Sequence, residues 1–266
     1  MDITMFDSRQ YLHSEGASDL SLRSVGSSEI HMYCTSVRLS REVVRYLHKT
    51  LSADERERAK RFHRQRDQSV SIVSRGILRL ILSSYTGTAP GQLTFKYGAN
   101  GKPALNDHAI YFNVSHSNDL VAYAIAREQR IGVDIEYRRH FSEMMPITEG
   151  FFSDSECGEI SQLESDEEVN AFFDVWTRKE AYVKALGCGL TMPLNSFTVS
   201  IAARSKELTL KSSVDPDLSS RWSLHNWHIS EHYSGAIAIF GKGWIPVPIS
   251  MSGIESRFAI DLSQPI

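Results

Sequence analysis

The stretch Ile131-Gly132-Val133-Asp134-Ile135-Glu136 lies at the middle of a 266-residue chain, and its alternation decides how the rest divides. Successive side chains of a strand take opposite faces, so Ile131, Val133 and Ile135 turn to a core while Asp134 and Glu136 project together from the other face. Upstream, 121–127 and 130–136 read as a hairpin joined by a polar turn around Glu128 and Gln129. Before it come strands at 30–39, 93–97 and 110–114, with 86–91 as loop and 98–103 as turn. A helix opens at Ser52 with Glu55 three residues on, the pattern of a capping box, and a second runs over 69–85. Downstream the spacing predicts helices over 156–163 and 166–186, the latter stopped by Gly187 and Gly189. Strands return at 196–201, 206–210, 222–229 and 235–240. Helix and strand thus occur twice, in similar order, on either side of residue 133. This predicts an α+β protein of two lobes.

Composition bounds the function. Apolar residues make up 41% and charged residues 23%, as in an ordinary globular protein, and the net charge is −3. An anion site must therefore be made locally. Cys34, Cys157 and Cys188 are odd in number and far apart, which reads as reduced thiols and not as a disulfide or zinc framework. No apolar run approaches a membrane span, and the opening residues lack the basic start and apolar core of a signal peptide. A cytoplasmic location with no membrane partner is expected. The division expected is a loosely held extension over 1–28, an N-terminal lobe over 29–132, a C-terminal lobe over 133–245 and a tail over 246–266.

Four groups of residues can carry chemistry. Two carboxylates side by side repel each other unless a cation lies between them, and a hard divalent ion suits Asp134 with Glu136. An isolated pair of this kind is more often a solvated strand face. The helix over 166–186 adds weight, because its apolar seam (Val169, Phe172, Phe173, Trp176, Val183, Leu186) also carries Glu180, with Lys184 four residues on. The plain alternative is an i,i+4 pair worth a few tenths of a kcal/mol; yet charges on a buried stripe cost several kcal/mol unless paired or coordinating. Asn113-Val114-Ser115-His116-Ser117 ends a strand with small polar side chains and an imidazole able to meet a phosphate or a purine edge. No G-x-S-x-G elbow accompanies Ser115 and His116, and neighbours on a strand diverge, which disfavours a hydrolase triad. The turn Gly101-Lys102-Pro103 and the basic helix carrying Arg56, Arg58, Lys60, Arg61, Arg64 and Arg66 are candidate phosphate grips.

Taken in order, these motifs resemble the two-lobed, surfactin-type (Sfp-type) 4'-phosphopantetheinyl transferases. The matching series is Gly101-Lys102-Pro103, Phe112 to Ser117, Gly132 to Glu136, Phe151-Phe152-Ser153 with Glu156, and Trp176 to Ala185 followed by Gly187 and Gly189. Met192-Pro193-Leu194 before Phe197 continues it, while Ser74 to Arg79 and Gly241-Lys242-Gly243-Trp244 look most like cyanobacterial members. The resemblance implies two pseudo-symmetric α/β lobes with the active site in the cleft between them. It implies an enzyme that moves the phosphopantetheine arm of coenzyme A onto a serine of an acyl or peptidyl carrier protein, releasing adenosine 3',5'-bisphosphate. Asp134, Glu136 and Glu180 would hold Mg²⁺, Lys184 would meet the pyrophosphate, and Glu180 would help deprotonate the carrier serine. Arg58, Lys102, Ser115 and His116 would grip the nucleotide end, Asn113 would shape the adenine pocket, and Arg61 and Arg75 would assist. A monomer is expected.

Two other classes were weighed. A catalytically silent module binding carrier proteins or coenzyme A would leave the acids or Lys184 unused. A nucleic-acid binder using the helix over 56–66 would need neither the acids nor Mg²⁺ and would weaken steeply with salt. The acidic balance and the lack of a platform of stacking aromatics count against it, so no nucleic-acid partner is expected.

Overall fold

The structure is a computed structural model that describes residues 23–106, 109–201 and 208–251. The chain runs through strand β1 (Glu29–Ser36), helices α1 (Arg41–Thr50), α2 (Ala53–Lys60) and α3 (Gln65–Thr86), and strands β2 (Phe95–Tyr97), β3 (Pro103–Leu105), β4 (Ile110–Ser117), β5 (Leu120–Arg127) and β6 (Ile131–Tyr137). Helices α4 (Met144–Phe151), α5 (Asp154–Ile160) and α6 (Ser165–Leu186) follow. Then come β7 (Thr198–Val199), β8 (Leu210–Lys211), α7 (Leu218–Arg221), β9 (Trp222–Asn226), β10 (Tyr233–Phe240) and β11 (Ile245–Pro248).

Two sheets organise the α+β fold. One has the order β11-β1-β5-β4, the other β6-β10-β9, and the pairs β2-β3 and β7-β8 stand apart from both. The inner faces of the two large sheets share one core. Ile30, Met32, Ala122, Ala124 and Ala126 come from the first; Ile131, Val133, Ile135, Ile237 and Ile239 come from the second. The outer face of the first sheet is covered by α3, through Tyr33, Tyr123, Ile125, Ile77 and Ile81. That of the second is covered by α6, where Ala181, Tyr182 and Ala185 meet Ala236, Ala238 and Trp222. The layers therefore run helix, sheet, sheet, helix. Both covering helices are 22 residues long and end on a glycine in the left-handed region, Gly87 (φ 70°) and Gly187 (φ 73°).

The alternation of 131–136 is realised, but its expected partner is not. β5 already has β1 on one side and β4 on the other, so no edge remains for β6, which pairs instead with β10. The hairpin in this region is β4–β5, turning at Asn118 and Asp119, and the polar turn at Glu128 carries the chain from one sheet to the other. Two further expectations change. α1 and α4 were not foreseen, although Val43, Val44 and Leu47 give α1 an apolar face and the Ser40 side chain caps it by accepting from Val43 N. The expected tail is anchored over 246–248, because β11 adds a parallel edge strand beside β1, and Met251 is buried. At the other end Val25 is buried and Arg23 N donates to the Ser84 carbonyl, so the extension is anchored from residue 23 on. The rest of the expected extension and tail lies outside the described residues. Among those described, no helix is long and apolar enough to cross a membrane.

Candidate active site

The acids and the lysine meet because α6 lies hard against β6. A Cβ at Gly132 would overlap the Ala181 carbonyl oxygen and the Ala185 amide nitrogen, so only glycine permits the approach. With the helix at that distance, Lys184 Nζ reaches Asp134 Oδ1 at 2.5 Å. Glu180, one turn earlier, has no ion-pair partner within salt-bridge distance among the described residues, so the simple Glu180–Lys184 pair weighed above does not form.

A second contact fixes the acids from the other side. Asn113, Ser115 and Ser117 alternate on one face of β4, and that face meets β6. Asn113 Oδ1 accepts from Val133 N (2.8 Å), Ser115 Oγ from Ile135 N (3.4 Å) and Ser117 Oγ from Tyr137 N (3.0 Å). The hydroxyls then donate, Ser115 to Asp134 Oδ1 (2.8 Å) and Ser117 to Glu136 Oε2 (2.7 Å). A ladder of side chains thus joins the two sheets where no backbone ladder exists. Asn113 and Ser115, expected at the nucleotide end, are buried and engaged in this joint. Their neighbours Val114 and His116 take the opposite face.

The electrostatics follow from crowding. Burial first and Asp134 second push the Glu136 carboxyl up to about 7, with Ser117 and Lys184 pulling the other way. The same two causes, in the same order, raise Glu180. Three carboxylates face one ammonium, which favours a further cation. The residues fit a hard divalent ion: Asp134 Oδ2 is buried and has no hydrogen-bond partner, an acceptor waiting for a donor or a metal. The acids do not by themselves form a closed cage, since no group of three His, Cys, Asp or Glu able to hold a metal occurs among the described residues. Mg²⁺ uses few protein ligands and keeps several waters, so an open set suits it.

Beside the acids opens a cavity of about 590 Å³, walled by Arg58, Arg66, Arg75, Ser74, His116 and Ser117 among others. That volume suits a nucleotide-sized ligand. Arg58 lies over the Tyr97 ring at 5.2 Å, and Arg75 pairs with Glu55 at 3.1 Å and lies over Phe95 at 5.2 Å. Desolvation first and the Lys184 charge second hold the His116 imidazole below its usual value, Asp134 opposing them. A second cavity of about 430 Å³ shares Ser117 and Asn118 with the first and is lined by Glu136, Phe141, Phe172 and Trp176. Ser117 and Asn118 therefore stand where the two cavities meet, and Glu136, bonded by Ser117, lines the second.

Of the expected site residues, only Arg58, Arg75, His116 and Glu136 line these cavities; Asp134, Glu180 and Lys184 stand behind their walls with Asn113 and Ser115, and Arg61 and Lys102 lie apart. Arg61 is exposed and outside both walls. Lys102 donates to the carbonyls of Ile131 (2.9 Å), Lys184 (2.6 Å) and Ala185 (3.1 Å), so all three of its donors are engaged at the end of α6. Burial, then Arg130, pull its amine down to about 8. It ties the turn over 98–103 to the helix that carries Lys184 and has no free donor for a phosphate.

Some motif residues prove structural in ways no spacing revealed. Lys179 is fully buried, pairs with Glu156 at 2.8 Å and donates to the Leu194 and Phe197 carbonyls. Glu156 also closes a capping box with Ser153 and accepts from Val199 N. Arg178, equally buried, donates to Asn226 and to the Ser200 carbonyl. Arg66, which belongs to the cavity wall, was recognised only as one of several basic residues on its helix.

The arrangement can hold a divalent cation beside an anion-binding cavity, and comparison with known proteins specifies the class. Residues 20–128 match the family model described as 4'-phosphopantetheinyl transferase, N-terminal, and 130–238 the one described as the 4'-phosphopantetheinyl transferase superfamily. The 4'-phosphopantetheinyl transferase HetI of Nostoc sp. is 33% identical over 224 residues, covering 83% of this chain and 91% of HetI. The 4'-phosphopantetheinyl transferase Sfp of Bacillus subtilis is 31% identical over 150 residues, 56% of this chain and 66% of Sfp. Among solved structures, the Chronobacterium ammoniagenes ACPS–CoA complex is similar over 43% of this chain and 98% of its own, at 18% identity and a TM-score of 0.33. The chain belongs to the 4'-phosphopantetheinyl transferase family.

Proposed function

We propose that this enzyme transfers the 4'-phosphopantetheine arm of coenzyme A to a serine of a carrier protein, with Mg²⁺ held by Asp134, Glu136 and Glu180. The observation that carries the reading is the clustering of those acids with Lys184, which pairs with Asp134, beside the cavity that Glu136 lines. The bound ion would neutralise charge on the pyrophosphate of coenzyme A. Arg58, Arg66, Arg75 and His116 would bind the nucleotide end in the first cavity, with His116 meeting the 3'-phosphate. The aromatic second cavity suits the pantetheine arm, which would place the pyrophosphate beside Glu136 and Lys184. Lys184 would contact the pyrophosphate and stabilise the leaving bisphosphate. Glu180 would help take the proton of the attacking serine. Lys102, Asn113 and Ser115 would act as scaffold for this set, and the two large sheets, each with its covering helix, would correspond to the expected lobes. The test is an incubation of apo carrier protein with coenzyme A, with and without Mg²⁺, read by mass spectrometry. A carrier heavier by one phosphopantetheine only when Mg²⁺ is present is expected; an unmodified carrier in both, or equal modification without the ion, contradicts it.

A further inference from the structure

The serines of β4 form a repeated device. Each accepts a β6 amide twenty residues ahead and donates to the carboxylate nineteen residues ahead: Ser115 to Asp134, Ser117 to Glu136. Asn113, one step earlier, faces Gly132 where an acid would otherwise stand, and makes only the amide contact. The hydroxyls are thus matched to the acids, one for one, and not merely to the strand. The two acids differ in what else holds them. Asp134 is nearly fully buried and also bonded by Lys184. Glu136 is half-buried, lines the second cavity and receives its hydrogen bond from Ser117.

We infer that Ser117 is a positioning residue, whose hydroxyl fixes the Glu136 carboxylate to β4 and so sets the geometry in which a divalent cation is bound. A long carboxylate side chain at a cavity wall has several rotamers open to it, and ordering it costs conformational entropy that the hydrogen bond offsets in advance. The amide bond from Tyr137 N orients the serine oxygen, so its one proton is directed at Glu136. Ser117 thereby links the sheet that bears the nucleotide cavity to the strand that bears the acids.

The inference rests on the metal reading above, and the experiment separates the two. Mn²⁺ binding to the full chain is measured by the electron paramagnetic resonance of the free ion, with coenzyme A present at saturation. The expected result is binding about 10-fold or more weaker in Ser117→Ala, the scale for losing a hydrogen-bond partner of a metal ligand, and restored in Ser117→Thr, which keeps the hydroxyl. If Ser117→Ala does not fold, Ser117→Cys replaces it, as a weak donor of similar shape with the same expected loss. Binding in the serine variant as tight as in the wild type, while Asp134→Ala binds none, overturns the inference alone. A wild-type protein that binds no Mn²⁺ overturns the metal reading and this inference together.

Discussion

Lys184 Nζ lies 2.5 Å from Asp134 Oδ1, fifty residues away in the chain, and makes no salt bridge with Glu180, one helical turn before it. The lysine thus pairs with Asp134, and Glu180 is left without an ion-pair partner among the described residues. Exchanging the two charges, Glu180→Lys with Lys184→Glu, puts a glutamate against Asp134 and an ammonium where the ion would bind. We predict a double variant as inactive as either single one, by at least ~10²-fold, although folded by circular dichroism. Recovery of transfer in the double variant would show that the two residues merely pair.

The second prediction concerns pH. Glu136 is raised from the ordinary carboxylate value of 4.5 to about 7, so the native state binds a proton there that the unfolded chain has released. Its contribution to stability is fully present below 4.5 and is lost as pH rises through about 7. A cation on the acids favours the ionised form and removes that loss. The shift in unfolding temperature produced by Mg²⁺ should therefore grow from pH 5 to pH 8. A shift independent of pH would contradict the assignment.

At the nucleotide end, His116→Ala should weaken coenzyme A more than dephospho-coenzyme A, by about 1.5–3 kcal/mol, since a charge-assisted contact to the 3'-phosphate is lost. Equal losses for both ligands, measured by calorimetry, would assign His116 to another part of the cavity.

Lys102 offers the opposite expectation. Lys102→Met leaves the Ile131, Lys184 and Ala185 carbonyls without their donor. Each unsatisfied buried acceptor costs about 1–3 kcal/mol. The urea midpoint should fall while coenzyme A affinity, measured where the variant is folded, stays at the wild-type value. A selective loss of affinity with unchanged stability would return Lys102 to the phosphate grip.

The sequence placed the acids and the lysine of the candidate site together because they lie on regular elements. The alternation of 131–136 places Asp134 and Glu136 on one face, and helical spacing places Glu180 and Lys184 one turn apart. What it left out depends on partners distant in the chain. Nothing local says that β5 is already flanked, so its pairing with β6 was a natural error. Nor does spacing show that Lys102 caps a helix 82 residues on, or that Lys179 serves Glu156 while Lys184 serves Asp134. Three of the nucleotide-end residues, Lys102, Asn113 and Ser115, were placed by the chemistry they could do. The structure engages them in joining one sheet or helix to another.

The central claim, that the acid cluster serves transfer through a cation, is tested most directly at Asp134. Its side chain lies on the outer face of β6, away from the apolar residues that join the sheets, and one of its oxygens has no partner. Holo-carrier formation by Asp134→Ala is followed by mass spectrometry across a Mg²⁺ titration, with circular dichroism confirming the fold. The account predicts a loss of at least ~10²-fold that limiting Mg²⁺ makes deeper, the scale of removing one major electrostatic contact. Turnover near that of the wild type at limiting Mg²⁺ would contradict it.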